Sequence, residues 1–98
     1  MEVEFEDEHL ERLASERDTA TDIADPIVTM FRKRMQLIRG APDERDFYAL
    51  KSLHFEKLQG PRKHQHSMRL NKKWRLILEL RNSGTAKKVV VIGIEDYH

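Results

Sequence analysis

The sequence contains no cysteine. No disulfide can staple the chain and no thiolate can act as nucleophile or metal ligand, a composition compatible with a reducing cytoplasm. No apolar run approaches the roughly 18–20 residues that span a bilayer, and no signal-peptide pattern opens the chain, so no membrane partner is expected. Internal repeats, low-complexity tracts and linker-like stretches are missing too, which leaves a single domain over residues 1–98. His64 and His66 fit no metal-ligand spacing, so neither a metal nor another cofactor is expected.

What remains is a chain that is 39% apolar and 36% charged, enough for one core beneath a polar surface. Its net charge of +1 hides a division. Residues 1–25 carry ten acids against Arg12 and Arg17, whereas residues 26–98 carry sixteen lysines and arginines against seven acids. From His54 to Arg75, seven basic side chains face Glu56 alone. Such a field attracts a polyanion and speeds its encounter; a solvated lysine-rich surface is the plainer reading.

Periodicity divides the chain into elements. MEVEF alternates as a first strand with Val3 and Phe5 inward, and Asp7–Ala14 reads as a short helix with Leu10 and Leu13 on one side. SERDTAT at Ser15–Thr21 is a loop. Asp25 is placed to N-cap a longer helix that starts at Pro26 and buries Ile27, Met30, Phe31, Met35 and Ile38. Gly40 is its left-handed terminator. Arg32, Lys33 and Arg34 crowd one turn, their stems lying along the core edge. A shorter helix over Asp43–Leu50 has Asp43 as its cap and packs Phe47 and Leu50 on the sheet. Strands are expected near His54–Leu58, His66–Leu70 and Lys73–Leu80. A break falls at Gly60-Pro61 and a turn at Asn82-Ser83-Gly84, before a last strand, Lys87–Glu95, buried on both faces. A strand, helices and then four strands make an α+β unit.

The hairpin around Asn71-Lys72 carries the chemistry. Alternation sets Met68, Leu70, Trp74, Leu76, Leu78 and Leu80 toward the helices, and Arg69 and Arg75 together on the open face. That face is expected to form a shallow, positively charged trough. Pairing of the two arginines with Glu79, Glu56 or the acidic N-terminal region is the structural alternative. Against it, with Lys57, Arg62 and Lys63 also present, the segment offers too few carboxylates to neutralise its cations. The fork of a guanidinium suits phosphate. After the buried last strand come Glu95-Asp96-Tyr97-His98, an acid, a phenol and an imidazole within reach of the trough; a frayed polar tail is the alternative. His54 and His98 are the side chains suited to proton transfer near neutrality.

LHFEKLQGPRKHQHSMRLNKKWRL at Leu53–Leu76, closed by the terminal EDYH, resembles the HigB branch of the RelE/ParE toxin superfamily. The likeness rests on Leu58 and Gly60 after Lys57, on Ser67-Met68-Arg69-Leu70-Asn71, on Trp74-Arg75 and on Asp96-Tyr97-His98. KHQH at Lys63–His66 departs from the glycine and aromatic residue more usual there. The resemblance implies a RelE-like fold, with an N-terminal strand and helices on one face of a small, mostly antiparallel twisted sheet. It implies a metal-independent, ribosome-dependent mRNA endoribonuclease of a type II toxin–antitoxin system. The partners it implies are the ribosomal A site, mRNA and a HigA-type helix-turn-helix antitoxin through which operator DNA is bound. Superfamily members that poison DNA gyrase, or a non-catalytic RNA-binding module, are the alternatives.

On this reading Arg69 and Arg75 hold the scissile phosphate and Lys57 adds a point charge. His54 or His98 is the base for the 2′-OH, the other or Tyr97 supports the leaving oxygen, and Asp96 orients His98. Arg62, Lys63, Asn71, Lys72 and Lys73 grip RNA outside the reacting bond.

Overall fold

The structure is a computed structural model that describes residues 1–15, 20–84 and 86–96. Strand β1 (Glu2–Phe5) leads into helices α1 (Glu8–Ala14), α2 (Asp25–Gly40) and α3 (Arg45–Ala49). Strands β2 (Glu56–Lys57), β3 (Gln65–Arg69), β4 (Trp74–Ser83) and β5 (Ala86–Asp96) follow, with short 3-10 turns at Lys51–Leu53 and Gly60–Arg62. The sheet order is β1-β5-β4-β3-β2, with β1 parallel to β5 and every other pair antiparallel. The expected α+β architecture is therefore the observed one. No helix among the described residues is long and apolar enough to cross a membrane.

Alternation along β3, β4 and β5 sends Met68, Leu76, Leu78, Val89 and Val91 to one face, where they are buried against Leu13, Phe31, Met35, Ile38 and Phe47. Fully burying side chains of this kind contributes about 1.5–3 kcal/mol each, which makes this layer the main source of stability. Trp74 sits half-buried at its rim rather than inside it. The helix-free face is not simply wet. Ser67, Ile77 and Val90 lie on it at 1%, 3% and 1% exposure, outside the helix-side core.

Several helix ends differ from expectation, each for a local reason. Asp25 does not cap α2: Ala24 does, with its carbonyl taking Ile27 N–H and Val28 N–H, and Asp25 is the first helical residue. There its carboxylate still favours the positive end of the helix. Gly40 is the last helical residue, and Ala41 leaves it in extended conformation. The amino group of Met1 donates to the carbonyls of Ile38, Arg39 and Ala41 at 3.2, 3.0 and 2.6 Å, so those groups need no left-handed cap. Asp43 precedes α3 instead of capping it, clasping the backbone and side chain of Arg45, which holds its carboxyl down to about 2. Leu50 stays 44% exposed, and Leu53, carried inward by the 3-10 turn, fills the expected place. The strand expected at His54–Leu58 shrinks to β2.

Leu78 lies opposite His66, which places the imidazole on the helix side. It stacks on Phe55 with ring centres 5.0 Å apart and planes 8° from parallel, while Phe55 meets Phe47 and Tyr48 edge-on. Its Nδ1 is buried without a hydrogen-bond partner. Burial, aided by Lys57, pushes its pKa below the usual value. As pH falls below about 6.5, the unfolded chain therefore gains a proton that folded His66 resists, and stability declines. Urea midpoints at pH 7.5, 6.5 and 5.5 should fall with pH in the native protein and fall less in His66→Phe. Parallel curves for the two proteins would remove His66 from the account.

Candidate active site

Strands β3 and β4 align Arg69 directly opposite Arg75, on the face away from the helices. Like charges in this position repel. Each is anchored by neutral acceptors. Arg69 donates from Nη1 to Nε2 of His54 at 3.0 Å and from Nε to the carbonyl of Asn71 at 3.2 Å. Arg75 donates from Nη1 to the carbonyl of His54 at 3.1 Å, with Glu56 3.9 Å from its Nη2. Arg34 of α2 steadies the strand from the other side, its Nε donating to the Arg69 carbonyl at 3.1 Å.

One residue, His54, thus touches both guanidinium groups. Its backbone is left-handed at φ 46°, ψ 46°, the only positive φ outside glycine among the described residues. Its N–H closes the 3-10 turn onto the Lys51 carbonyl, and this reversal turns the imidazole toward Arg69. A guanidinium only donates, so Nε2 is the accepting nitrogen and the proton of the neutral ring sits on Nδ1. A side chain in this conformation costs about 1–2 kcal/mol, and such strain gathers at functional sites.

The remaining expected residues divide. Lys57 pairs with His66, and Glu56 with Ser67, so alternation carries Lys57 to the helix side, out of the arginine row. Arg62 crosses the open face to Glu95 in a two-bond clasp at 2.9 and 2.7 Å. Lys73 lies 3.6 Å from Asp96, and Lys63 and Lys72 are exposed. Asn71 has structural work, its side-chain oxygen accepting the N–H groups of Lys73 and Trp74 at 2.8 and 2.7 Å. Glu56, the one carboxylate within the His54–Arg75 segment, lies near Arg75, and Glu95 and Asp96 from outside it offset part of the positive charge. Asp96 ends the described part of β5, opposite Trp74 and one step from the Arg75–Glu95 pair. Tyr97 and His98 lie outside the described residues.

Sequence reading missed Glu95, Ser67 and Arg34. A bulge explains the first. Ile77 pairs with Gly93 but Leu78 with Val91, so Ile92 is an extra residue that inverts the alternation beyond it. Glu95 consequently joins the row of Arg75. Beside that row the surface sinks into a cleft of about 330 Å³, with Ser67 and Ile77 among the residues that line it. A larger hollow of about 650 Å³ lies at the far end of the β4–β5 hairpin, but there Arg45 is bound by Asp43 and Lys87 by Glu44. The arginine pair and the imidazole acceptor can together hold a phosphodiester and remove a proton beside it.

If the left-handed backbone at residue 54 is imposed by the fold, His54→Gly should be more stable than His54→Ala by about 1 kcal/mol, read from urea unfolding. Equal stabilities would show that the turn relaxes freely.

The profile described as RelE-like toxin of type II toxin-antitoxin system HigB matches residues 3–98. Among solved structures, a YoeB/ParE toxin from Agrobacterium tumefaciens superposes with a TM-score of 0.63 at 17% identity, covering 100% of both chains. A chain of the YoeB–YefM complex from Staphylococcus aureus gives 0.60 at 15% identity, covering 100% of this chain and 97% of that one. No curated protein matches the sequence. The structural likenesses show a shared fold, and the profile match spans nearly the whole chain. The chain belongs to the HigB-like family of RelE-like toxins of type II toxin–antitoxin systems.

Proposed function

We propose that the protein is a ribosome-dependent endoribonuclease that cuts mRNA in the cytoplasm and is neutralised by a HigA-type antitoxin. The observation that carries this reading is the convergence of Arg69, Arg75 and an accepting Nε2 of His54 at one point. RNA brings its own nucleophile, so the protein needs only to position, to move protons and to stabilise charge. Arg69 and Arg75 grasp the scissile phosphate through their non-bridging oxygens. As Arg69 shifts its Nη1 from the imidazole to the phosphate, the lone pair on Nε2 is freed. Nε2 takes the 2′-OH proton, O2′ attacks phosphorus, and the bond from phosphorus to O5′ breaks. O5′ receives a proton from His98 or Tyr97. The products are a 2′,3′-cyclic phosphate and a free 5′-OH. Lys63 and Lys72, both exposed, supply sequence-independent phosphate contacts to ribosomal RNA.

Single-turnover cleavage of ribosome-bound message, with 5′ ends mapped, tests the assignment. His54→Ala should slow the reaction by about 10²–10⁴, and Arg75→Ala by about 10²–10³. Arg75→Lys should not recover the rate, because an ammonium lacks the two-pronged fork. Undiminished cleavage in both alanine variants would defeat the mechanism. Growth arrest with DNA damage and intact message would select the gyrase-directed alternative.

A further inference from the structure

The bulge at Ile92 sets Glu95 directly opposite Arg75, on the same face of neighbouring antiparallel strands. Opposite charges in that position ordinarily pair. Here Glu95 turns both carboxylate oxygens to Arg62, at 2.9 and 2.7 Å, while Nη1 of Arg75 goes to the carbonyl of His54. Arg62 is brought to the open face by the 3-10 turn at Gly60–Arg62, whose first residue holds φ 66°, a left-handed conformation suited to glycine. Gln65 of β3 accepts from Nε of Arg62 at 2.9 Å. That bond fixes the guanidinium plane with its other two nitrogens aimed at Glu95.

Stability is a poor reason for this clasp. Its side chains are 44% and 43% exposed, and ion pairs so open to water contribute little. Arg75 differs, at 12% exposure, so a carboxylate seated on it would be weakly screened. A carboxylate and a phosphate engage the fork of a guanidinium in the same way, through two parallel N–H···O bonds. Glu95 is therefore a built-in competitor for the group that holds the scissile phosphate. If Arg62 were removed, the cross-strand neighbour left to Glu95 would be Arg75.

We infer that Arg62 is a positioning residue for the phosphate site: it draws Glu95 aside, so that this carboxylate does not compete with RNA for Arg75. Arg62 was expected to grip RNA outside the reacting bond. With all three guanidinium nitrogens engaged inside the protein, its effect on RNA is instead indirect, through Glu95. Removing Arg62 and removing the charge of Glu95 therefore act in opposite directions, and the second cancels the first. The inference rests on the nuclease reading for its substrate.

Two measurements test it, one of them independent of cleavage. Inorganic phosphate is titrated at constant ionic strength while the Nε–H resonance of Arg75 is followed by NMR. Arg62→Ala and Arg62→Gln should each weaken phosphate binding by about tenfold or more, the scale of one lost charge-assisted hydrogen bond. Glu95→Gln alone should bind phosphate at least as tightly as the native protein. Adding Glu95→Gln to either Arg62 variant should return binding to the native level, a rescue that a merely structural role for Arg62 would not give. In parallel, single-turnover cleavage of ribosome-bound message should rank the variants in the same order. A loss that persists in both double variants would mean that Arg62 touches the phosphate itself, and it overturns the inference. So does phosphate binding that is unchanged in both single Arg62 variants or weakened by Glu95→Gln. Message cut by the native protein leaves the nuclease standing in each of those cases. The full rescue pattern with no message cut upholds the role of Arg62 and removes the nuclease.

Discussion

Two positive charges face each other across neighbouring strands, and much of the molecule is arranged to keep them there. Arg69 and Arg75 are directly paired in the β3–β4 register, where like charges destabilise a sheet. Three of their hydrogen bonds go to neutral atoms: the ring nitrogen and carbonyl of His54 and the carbonyl of Asn71. Neutral acceptors fix direction without cancelling charge. Glu56 lies 3.9 Å from Arg75, beyond hydrogen-bond distance. The site therefore keeps its attraction for an anion while its geometry is already set, the condition under which charge stabilisation acts without reorganisation.

The cost of this arrangement falls on the backbone and is met by packing elsewhere. His54 sits in the left-handed region because the 3-10 turn before it must close, and Leu53 locks that turn by being 1% exposed in the core. Asn71 spends its side-chain oxygen on the β3–β4 turn, which leaves its own carbonyl aimed at Arg69. Arg34 reaches from α2 to the Arg69 carbonyl, and burial lowers its pKa, so a helix cation is part-desolvated to hold a strand. Core, turn and site are thus mechanically one unit. Loosening the turn at Leu53 would misplace both arginines at once.

How much of this was legible depends on the range of the interaction responsible. The pairing of Arg69 with Arg75 follows from period-two alternation and a nearby turn, and it was readable. So was the apolar row of Met68, Leu76 and Leu78, since apolar residues at alternate positions specify a half-buried strand. The turn of His54 was not, because a single left-handed residue depends on tertiary closure and histidine has only a mild preference for it. Nor was the bulge at Ile92: VVVIGI reads the same with or without an extra residue, and only the partner strand reveals the slip. The sequence sets Glu95 and Asp96 together near the trough without saying which shares the arginine row, and the bulge decides for Glu95. Leu50 and Gly40 failed for a related reason, since a 3-10 turn and the amino group of Met1 supplied what those residues had been expected to supply.

The split between an acidic beginning and a basic remainder becomes spatial once the chain is folded. Glu4 pairs with Lys88 at 2.7 Å and Glu6 reaches Arg81 at 3.4 Å, toward the far end of the β4–β5 hairpin. The Lys88 ammonium holds the Glu4 carboxyl below its usual range, as expected of a working pair. Parallel pairing of β1 with β5 makes these contacts unavoidable, since it sets Glu2 and Glu4 beside Lys88 and Val90 rather than beside Glu95. Glu4 and Glu6 are thereby paired with cations at one end. At the other, Lys63 and Lys72 are exposed, and the arginine pair is half-buried beside His54. A chain of almost no net charge can in this way pair its charges at one end and keep a basic end for a polyanion, which orients the encounter before any contact is made.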